Sequence, residues 1–219
     1  MCFSAETSFV ASGALGIAGV VALKNVREPA QIMLAGIPLI FSVQQLSEGL
    51  VWLSFTHPGF SVWRPLFTYV FLFFAVVVWP IWIPYATWLP EKEARRKTVI
   101  FFLLLCGLVV AGIIAYGLVF YPVLAEIRLH HIHYKLDFKQ VLVVPRGIIY
   151  FMPSVFPPLM ASNRKVRVFG LSLLGSYVVA RFNYPYSVLS VWCYFAAVIS
   201  LIIIWIVSAT PRPAVTGMK

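Results

Sequence analysis

Long runs of apolar residues, separated by short polar or proline-rich segments, dominate the chain from one end to the other. A helix needs about 20 mostly apolar residues to cross the hydrocarbon core of a bilayer, and charged or proline-rich breaks mark where such a helix begins and ends. The pattern predicts an all-α fold with one membrane domain over residues 1–219. Its seven transmembrane helices are expected near 7–24, 29–55, 62–88, 98–121, 141–161, 166–184 and 187–209.

The composition argues against a water-soluble domain. Of the 219 residues, 61% are hydrophobic and 11% are charged, whereas soluble domains average about 45–50% apolar and about a quarter charged residues. A soluble domain of this size leaves too much of its surface in water to hide so many apolar side chains. We therefore expect membrane lipids around the chain.

The positive charges predict the orientation. The formal net charge is +10, but Lys and Arg stand in short clusters between the apolar runs, so we expect no nucleic-acid partner. Cytoplasmic loops carry the excess of Lys and Arg, which places the N-terminus outside and the C-terminus in the cytoplasm. The cytoplasmic side then holds Lys24, Arg27, Lys92, Arg95, Arg96, Lys97, Arg164, Lys165, Arg167, Arg212 and Lys219, and the outer side holds Arg64, Arg128, Lys135 and Lys139.

Small residues and prolines predict where helices approach one another or bend. Rows of small residues allow close helix packing in membranes. The third run ends in a proline- and tryptophan-rich stretch from Trp79 to Pro90, which favours a kinked exit at the membrane surface. The rows of small residues are Gly13, Gly16 and Gly19 in the first run, and Gly107, Ala111 and Ala115 in the fourth.

A polar stripe interrupts the second run. Gln44 and Gln45 precede Glu48 by four and three residues, and Trp52 follows it by four, which places these side chains on one helical face. An ionisable side chain inside a membrane is costly unless it faces protein or water, which makes Glu48 a functional candidate. Two interpretations stay open: a pocket for a small polar ligand or ion, and a hydrogen-bond network that joins helices.

Other charged residues are expected at the same outer end of the bundle. Arg146 begins the fifth run and Arg181 ends the sixth, and Glu6 lies at the outer start of the first. We therefore add both arginines to the candidate ligand-binding residues. An internal ion pair between one of them and Glu6 or Glu48 is the structural alternative.

The outer loop after the fourth run suggests a metal site. His130, His131 and His133 lie close together there, and histidine is the commonest metal ligand. With Glu6 or Glu48 they could hold zinc, copper or iron, although the spacing is not that of a zinc protease helix. Solvated histidines on an amphipathic loop are the alternative. Cys2 is a separate candidate, since removal of Met1 would leave an N-terminal thiol beside a free amine.

Several motifs together resemble a family of uncharacterised prokaryotic seven-helix membrane proteins that begin Met-Cys-Phe-Ser. The resemblance spans most of the chain. It implies the helix count and, as the location, the cytoplasmic membrane of a prokaryote, but no activity. The motifs are Met1-Cys2-Phe3-Ser4, Gln44-Gln45 with Glu48-Gly49 and Trp52, Trp79-Pro80, His130 to Tyr134, and Ser190-Val191-Trp192-Cys193.

Three functional hypotheses follow. The first is a protein with an outer-facing polar pocket that binds or transports a small polar ligand or ion. The second is an intramembrane metal-dependent hydrolase acting on a lipid-like substrate, in which Glu48 or Glu6 ligates the metal or acts as the general base. The third is an accessory subunit of a larger membrane complex. A homo-oligomer is compatible with each.

Overall fold

The computed structural model describes residues 4–128, 131–136, 148–185 and 187–208. Helices dominate these ranges. The 3-10 turns are Pro29–Gln31 and Pro58–Trp63, and Phe73–Val78 is a π-helix. The α-helices are α1 (Ala5–Lys24), α2 (Ile32–Ala35), α3 (Ile37–Thr56), α4 (Arg64–Leu72), α5 (Trp79–Trp88), α6 (Ala94–Phe120), α7 (Ile148–Met160), α8 (Arg164–Asn183), α9 (Val188–Ile199) and α10 (Ile202–Ser208).

Within the described ranges, five helical segments are long and apolar enough to cross a membrane. Many of their large apolar side chains are exposed, as on α6, where Phe102, Val109 and Val119 are 60%, 63% and 75% exposed. Such helices suit a lipid surrounding, because a helix that is apolar all round must be buried in protein or in lipid. The five segments are Ala5–Lys24, Pro29–Thr56, Pro58–Trp88, Ala94–Phe120 and Val188–Ser208.

The other two predicted runs differ from these five. The run predicted at 141–161 is described from residue 148 onward, as α7, a 13-residue helix that contains three prolines. The run predicted at 166–184 forms α8, a 20-residue helix with a much more polar composition, because basic residues occupy its first turn and Arg181 its last. The helical prediction is thus confirmed in both places over the described residues, while only five segments meet the length and apolarity of a span.

Helices α1 and α3 pack closely through small residues. Ser12 Oγ donates to the carbonyl oxygen of Ser42 at 2.9 Å, and Ser42 Oγ donates to the carbonyl oxygen of Ser12 at 2.7 Å. A Cβ atom on Gly19 would collide with Leu39, and one on Gly16 would lie 3.2 Å from Ser42 Oγ. The predicted close approach is confirmed for these two glycines. Gly13 has open space around it and takes no part.

Helices α5 and α6 cross where Gly107 meets the backbone of Pro80. A Cβ atom on Gly107 would overlap the carbonyl oxygen of Pro80. This carbonyl lacks its usual partner four residues later, because that position is Pro84, which has no N–H. The glycine therefore lets α6 pack directly onto the irregular, proline-containing part of α5.

A β-hairpin follows α6, so the all-α prediction is wrong at this point. β1 (Val123–Arg128) pairs antiparallel with β2 (His131–Leu136). Apolar and polar residues alternate along β2, which is the two-residue period of a half-buried strand. Ile132 and Tyr134 pack into the bundle, and the Tyr134 ring stacks on Phe71 with 4.7 Å between centroids. The segment predicted as an outer loop is an ordered cap on the bundle.

Glu91 joins two inter-helix connections at the opposite end. Its Oε1 accepts from the Ser162 hydroxyl at 2.6 Å and from the backbone N–H groups of Lys92 and Glu93, and its Oε2 accepts from Ser162 N at 2.7 Å. Burial raises the pKa of this carboxyl, but the hydrogen bonds outweigh burial and leave the pKa below its usual 4.5. The carboxylate thus ties the α5–α6 connection to the α7–α8 connection.

Replacing Gly107 by alanine should destabilise the bundle, because the new methyl group must displace backbone. We expect a loss of about 1–3 kcal/mol, the usual cost of overpacking, measured as a lower midpoint of thermal unfolding in detergent. Gly112→Ala is the matched control on the same helix, since a Cβ there meets nothing within 4 Å. Equal midpoints for the two variants would contradict the close crossing.

Glu91→Gln should destabilise the protein at neutral pH, because an amide nitrogen would face N–H donors. A lowered folded-state pKa means that the stabilisation is complete above pH 4.5 and is lost as the pH falls below that value toward the folded-state pKa. The difference in unfolding midpoint between wild type and Glu91→Gln should therefore shrink below pH 4.5. Glu93→Gln is the control, since Glu93 forms an exposed ion pair with Arg96 that is worth about 0–1 kcal/mol. A difference that does not change with pH would contradict this assignment.

Candidate functional site

The polar stripe of α3 lies in the interior of the bundle. Gln44, Gln45 and Glu48 have no exposed surface, and Trp52 is 6% exposed. Their spacing of three and four residues turns all of them toward the neighbouring helices, as the sequence predicts. Gly49, next to Glu48, lies against the ring of Phe9 on α1, which closes that side of the stripe.

Glu48 is held by two neutral hydrogen-bond donors. Ser190 Oγ on α9 donates to Oε1 at 2.5 Å, and Gln45 Nε2, one turn earlier on α3, donates to Oε2 at 3.2 Å. In the described part of the chain, no Lys, Arg or His side chain lies within ion-pair distance of this carboxyl. A buried carboxyl without a cationic partner is unusual, since buried charges are normally paired.

Gln44 is bonded to a tryptophan from another helix. Trp79 Nε1 donates to Gln44 Oε1 at 2.6 Å, and the Trp79 ring stacks on Phe41 with 4.0 Å between centroids. Trp79 follows directly after the π-helix, whose Ala75 carbonyl accepts from the Tyr150 hydroxyl at 2.6 Å. Single π-helical turns inside α-helices are frequent at functional sites, and this one sets the direction of Trp79.

Three buried polar atoms on the same helical face have no hydrogen-bond partner among the described residues. They are Gln45 Oε1, Trp52 Nε1 and Gln44 Nε2, which faces the weakly accepting thiol of Cys193. More than about 90% of buried polar groups in proteins are bonded to protein or to ordered water. Two donors and one acceptor beside a carboxyl therefore mark the place where water or a small polar ligand would bond.

A small cavity borders this polar group. Its volume is about 30 Å³, enough for about two water molecules. Trp79 and Cys193 line the cavity and also contact the stripe. Trp79 is bonded to Gln44, and Cys193, three residues after Ser190 on α9, faces Glu48. The lining residues are Phe41, Trp79, Ile83, Tyr150, Ser154, Phe169, Leu173, Trp192, Cys193 and Ala196.

Arg181 and Glu6, two of the charged residues predicted to gather around Glu48, lie elsewhere. Arg181 is exposed in the last turn of α8 and, within the described ranges, pairs with neither Glu48 nor Glu6. Glu6 is exposed in the first turn of α1, at one end of a surface groove that also involves Tyr194 and Val198 of α9. Two further candidates, Cys2 and Arg146, lie outside the described residues.

The predicted metal set is not assembled in the described residues. No group of three or more His, Cys, Asp or Glu side chains there is arranged to hold a metal ion. His131 and His133 lie two residues apart and so share one face of β2, and the centroid of the His131 ring lies 5.2 Å from that of Tyr184. Glu48 is bonded to Ser190 of α9 and belongs to no such group among the described residues. His130 lies outside the described residues.

The sequence analysis missed the partners of the stripe. Ser190 is a small hydroxyl residue in an apolar run, and Trp79 was assigned to the membrane surface because tryptophan favours the headgroup region. Both residues belong to the motifs that carry the family resemblance, and that was the one signal that singled them out. Tyr150 gave no signal, because a tyrosine at the start of a membrane helix is common.

A family model described as a family of unknown function (DUF6629) matches residues 1–217 of the chain. No curated protein and no solved structure matches it.

Proposed function

The chain belongs to the DUF6629 family of unknown function, and we propose that it is an integral membrane protein that binds or transports a small polar ligand or ion at Glu48. The proposal includes seven membrane crossings, an outer N-terminus, a cytoplasmic C-terminus and a prokaryotic cytoplasmic membrane as the location. One observation carries the binding function: within the described residues a fully buried carboxyl accepts hydrogen bonds from two neutral donors, beside polar atoms that have no partner there.

Seven crossings are supported by the length of α8 and by the distribution of the positive charges. The 20 residues of α8 span about 30 Å at 1.5 Å per residue, the thickness of the hydrocarbon core. If α7 and α8 cross the membrane as well as the five apolar segments, three basic helix ends fall on one side. They are the C-terminal end of α1, the N-terminal end of α6 and the N-terminal end of α8. That side is the cytoplasm by the positive-inside rule.

Reporter fusions test this topology. Green fluorescent protein fused after Lys92 or after Lys219 should fluoresce, because it folds in the cytoplasm, whereas a fusion after Tyr121 should remain dark. Alkaline phosphatase at the same three positions is the control and should give the opposite pattern. A dark fusion after Lys219 would contradict seven crossings with the N-terminus outside.

The binding function is favoured over the two other hypotheses by the surroundings of Glu48. A purely structural network would leave its polar atoms bonded to one another, whereas Gln44 Nε2, Gln45 Oε1 and Trp52 Nε1 have no partner among the described residues. The metal-dependent hydrolase would require a set of metal ligands that the described residues do not form. A role as an accessory subunit has no specific observation in its favour.

Thermal unfolding in the presence of candidate ligands tests the binding function. We would measure the purified protein in detergent with sodium, potassium, ammonium, magnesium and chloride ions, with amino acids and small polyols, and across a pH series. At least one condition should raise the unfolding midpoint, since a ligand at 100 times its Kd stabilises by about 2.7 kcal/mol. The increase should vanish in Glu48→Gln and persist in Glu93→Gln. Equal increases in both variants, or none in wild type, would contradict binding at Glu48.

A further inference from the structure

We propose that the ion bound at Glu48 is a proton, and that Gln45 and Ser190 exchange hydrogen-bond roles as the carboxyl gains and loses it. This inference rests on the proposed function and specifies its ligand. Intramembrane carboxyls commonly mark proton relays.

The charge of the site favours a proton over an anion or a dipolar molecule. An ionised carboxyl with no exposed surface, bonded to a hydroxyl and an amide, keeps a full negative charge in a medium of low dielectric. Such burial costs several kcal/mol per ion, and a positive charge removes the cost. A proton does so without any additional space.

Among the described residues, the side-chain oxygen atoms near Glu48 are too few for a metal cation. Hard cations such as calcium take about six to eight oxygen ligands. Here Trp79 occupies Gln44 Oε1, which leaves the carboxyl itself, the Ser190 hydroxyl and Gln45 Oε1. The neighbouring cavity of about 30 Å³ is lined mainly by aromatic and aliphatic side chains and adds few ligands. One proton needs a single acceptor, which these residues supply.

Both partners of Glu48 can serve either protonation state. A serine hydroxyl both donates and accepts, and a glutamine amide carries a donor and an acceptor at its two ends. With the carboxylate ionised, Gln45 Nε2 donates to Oε2 at 3.2 Å. When Glu48 Oε2 carries the proton, a half-turn of the Gln45 amide brings Gln45 Oε1 into the accepting position. Gln45 Oε1 is the atom that has no partner among the described residues. No backbone movement is required.

Water bonded to the polar stripe can deliver the proton. A hydronium ion transfers one proton to a carboxylate oxygen of Glu48 and becomes water, and the reverse step releases the proton. Gln44 Nε2 and Trp52 Nε1 are donors that could hold such a water molecule. The titratable side chains nearest to this path are Cys193 on α9 and Tyr150 on α7, both of which line the cavity. From α1 the neighbour of the stripe is Phe9, and from α5 it is Trp79.

Infrared difference spectroscopy between high and low pH tests the proposal on the full chain in lipid. A protonated carboxyl has a carbonyl stretching band that the carboxylate lacks. We expect this band to appear at low pH in wild type. The difference between the wild-type and Glu48→Gln spectra removes the bands of the other carboxyl groups and should leave the Glu48 band. In Ser190→Ala and Gln45→Leu the band should shift in frequency, because each variant removes one hydrogen-bond partner of Glu48.

Ser200→Ala is the matched control for Ser190→Ala. Ser200 is also fully buried near the end of α9, but its hydroxyl donates to the carbonyl of Ala197, which the Ser200 backbone N–H also contacts. Its loss should leave the Glu48 band unchanged. Because Ser190→Ala and Gln45→Leu retain the carboxyl, their band shifts keep the test decisive even if Glu48→Gln does not fold.

The possible results separate this inference from the proposed function. A Glu48 band at every pH would mean a permanently protonated, structural carboxyl and would overturn proton exchange. No Glu48 band at any pH, together with stabilisation by sodium or potassium that Glu48→Gln abolishes, would identify a metal cation; the inference would fail and the binding function would stand. No pH-dependent band and no stabilising ligand would refute both.

Discussion

A hydrocarbon interior offers no hydrogen-bond partner, so every polar group that enters it must find one within the protein. Helix α3 is where this constraint is met most often. It exchanges hydroxyl-to-carbonyl bonds with α1, accepts an indole N–H from α5 and holds its carboxyl against a hydroxyl of α9. Three neighbouring helices are therefore positioned by polar contacts to one helix, which apolar packing against lipid-like side chains could not specify as sharply.

These polar contacts depend on close backbone approach, which the small residues provide. The Ser12 and Ser42 hydroxyls reach each other's carbonyl groups because Gly16 and Gly19 keep α1 near α3. On the other side of the bundle, Gly107 brings α6 against the proline-containing stretch of α5 that follows Trp79. Packing of small residues and placement of the polar site are thus two aspects of the same helix geometry.

The sequence predicts what depends on residues near one another in the chain. Helix lengths follow from apolar runs, and the common face of Gln44 and Glu48 follows from their spacing, so both agree with the structure. The partners of Glu48 depend on how α9 is rotated and shifted against α3, and no local pattern encodes that relation. For the same reason the predicted grouping of Arg181 with Glu48 fails. Two residues at the same end of a bundle lie at a similar depth in the membrane, but the distance between their side chains depends on how the helices are arranged.

The hairpin shows a second limit. Polar and apolar residues alternate along β2 with a period of two residues. However, the polar positions hold histidine and lysine, which are also common in an irregular loop between two membrane helices. The buried contacts of Ile132 and Tyr134 with the bundle decide the outcome, and they involve residues distant in sequence.

The π-helix at Phe73–Val78 affects how related chains should be aligned. A π-turn holds one residue more than an α-turn, so a relative with the same number of residues here could lack the π-turn and form an unbroken α-helix. Every side chain beyond that point would then be rotated by about 100°, the angle between successive residues of an α-helix. A tryptophan aligned with Trp79 in such a relative would no longer face Gln44, and matching sequence letters at that position would conceal a different interior.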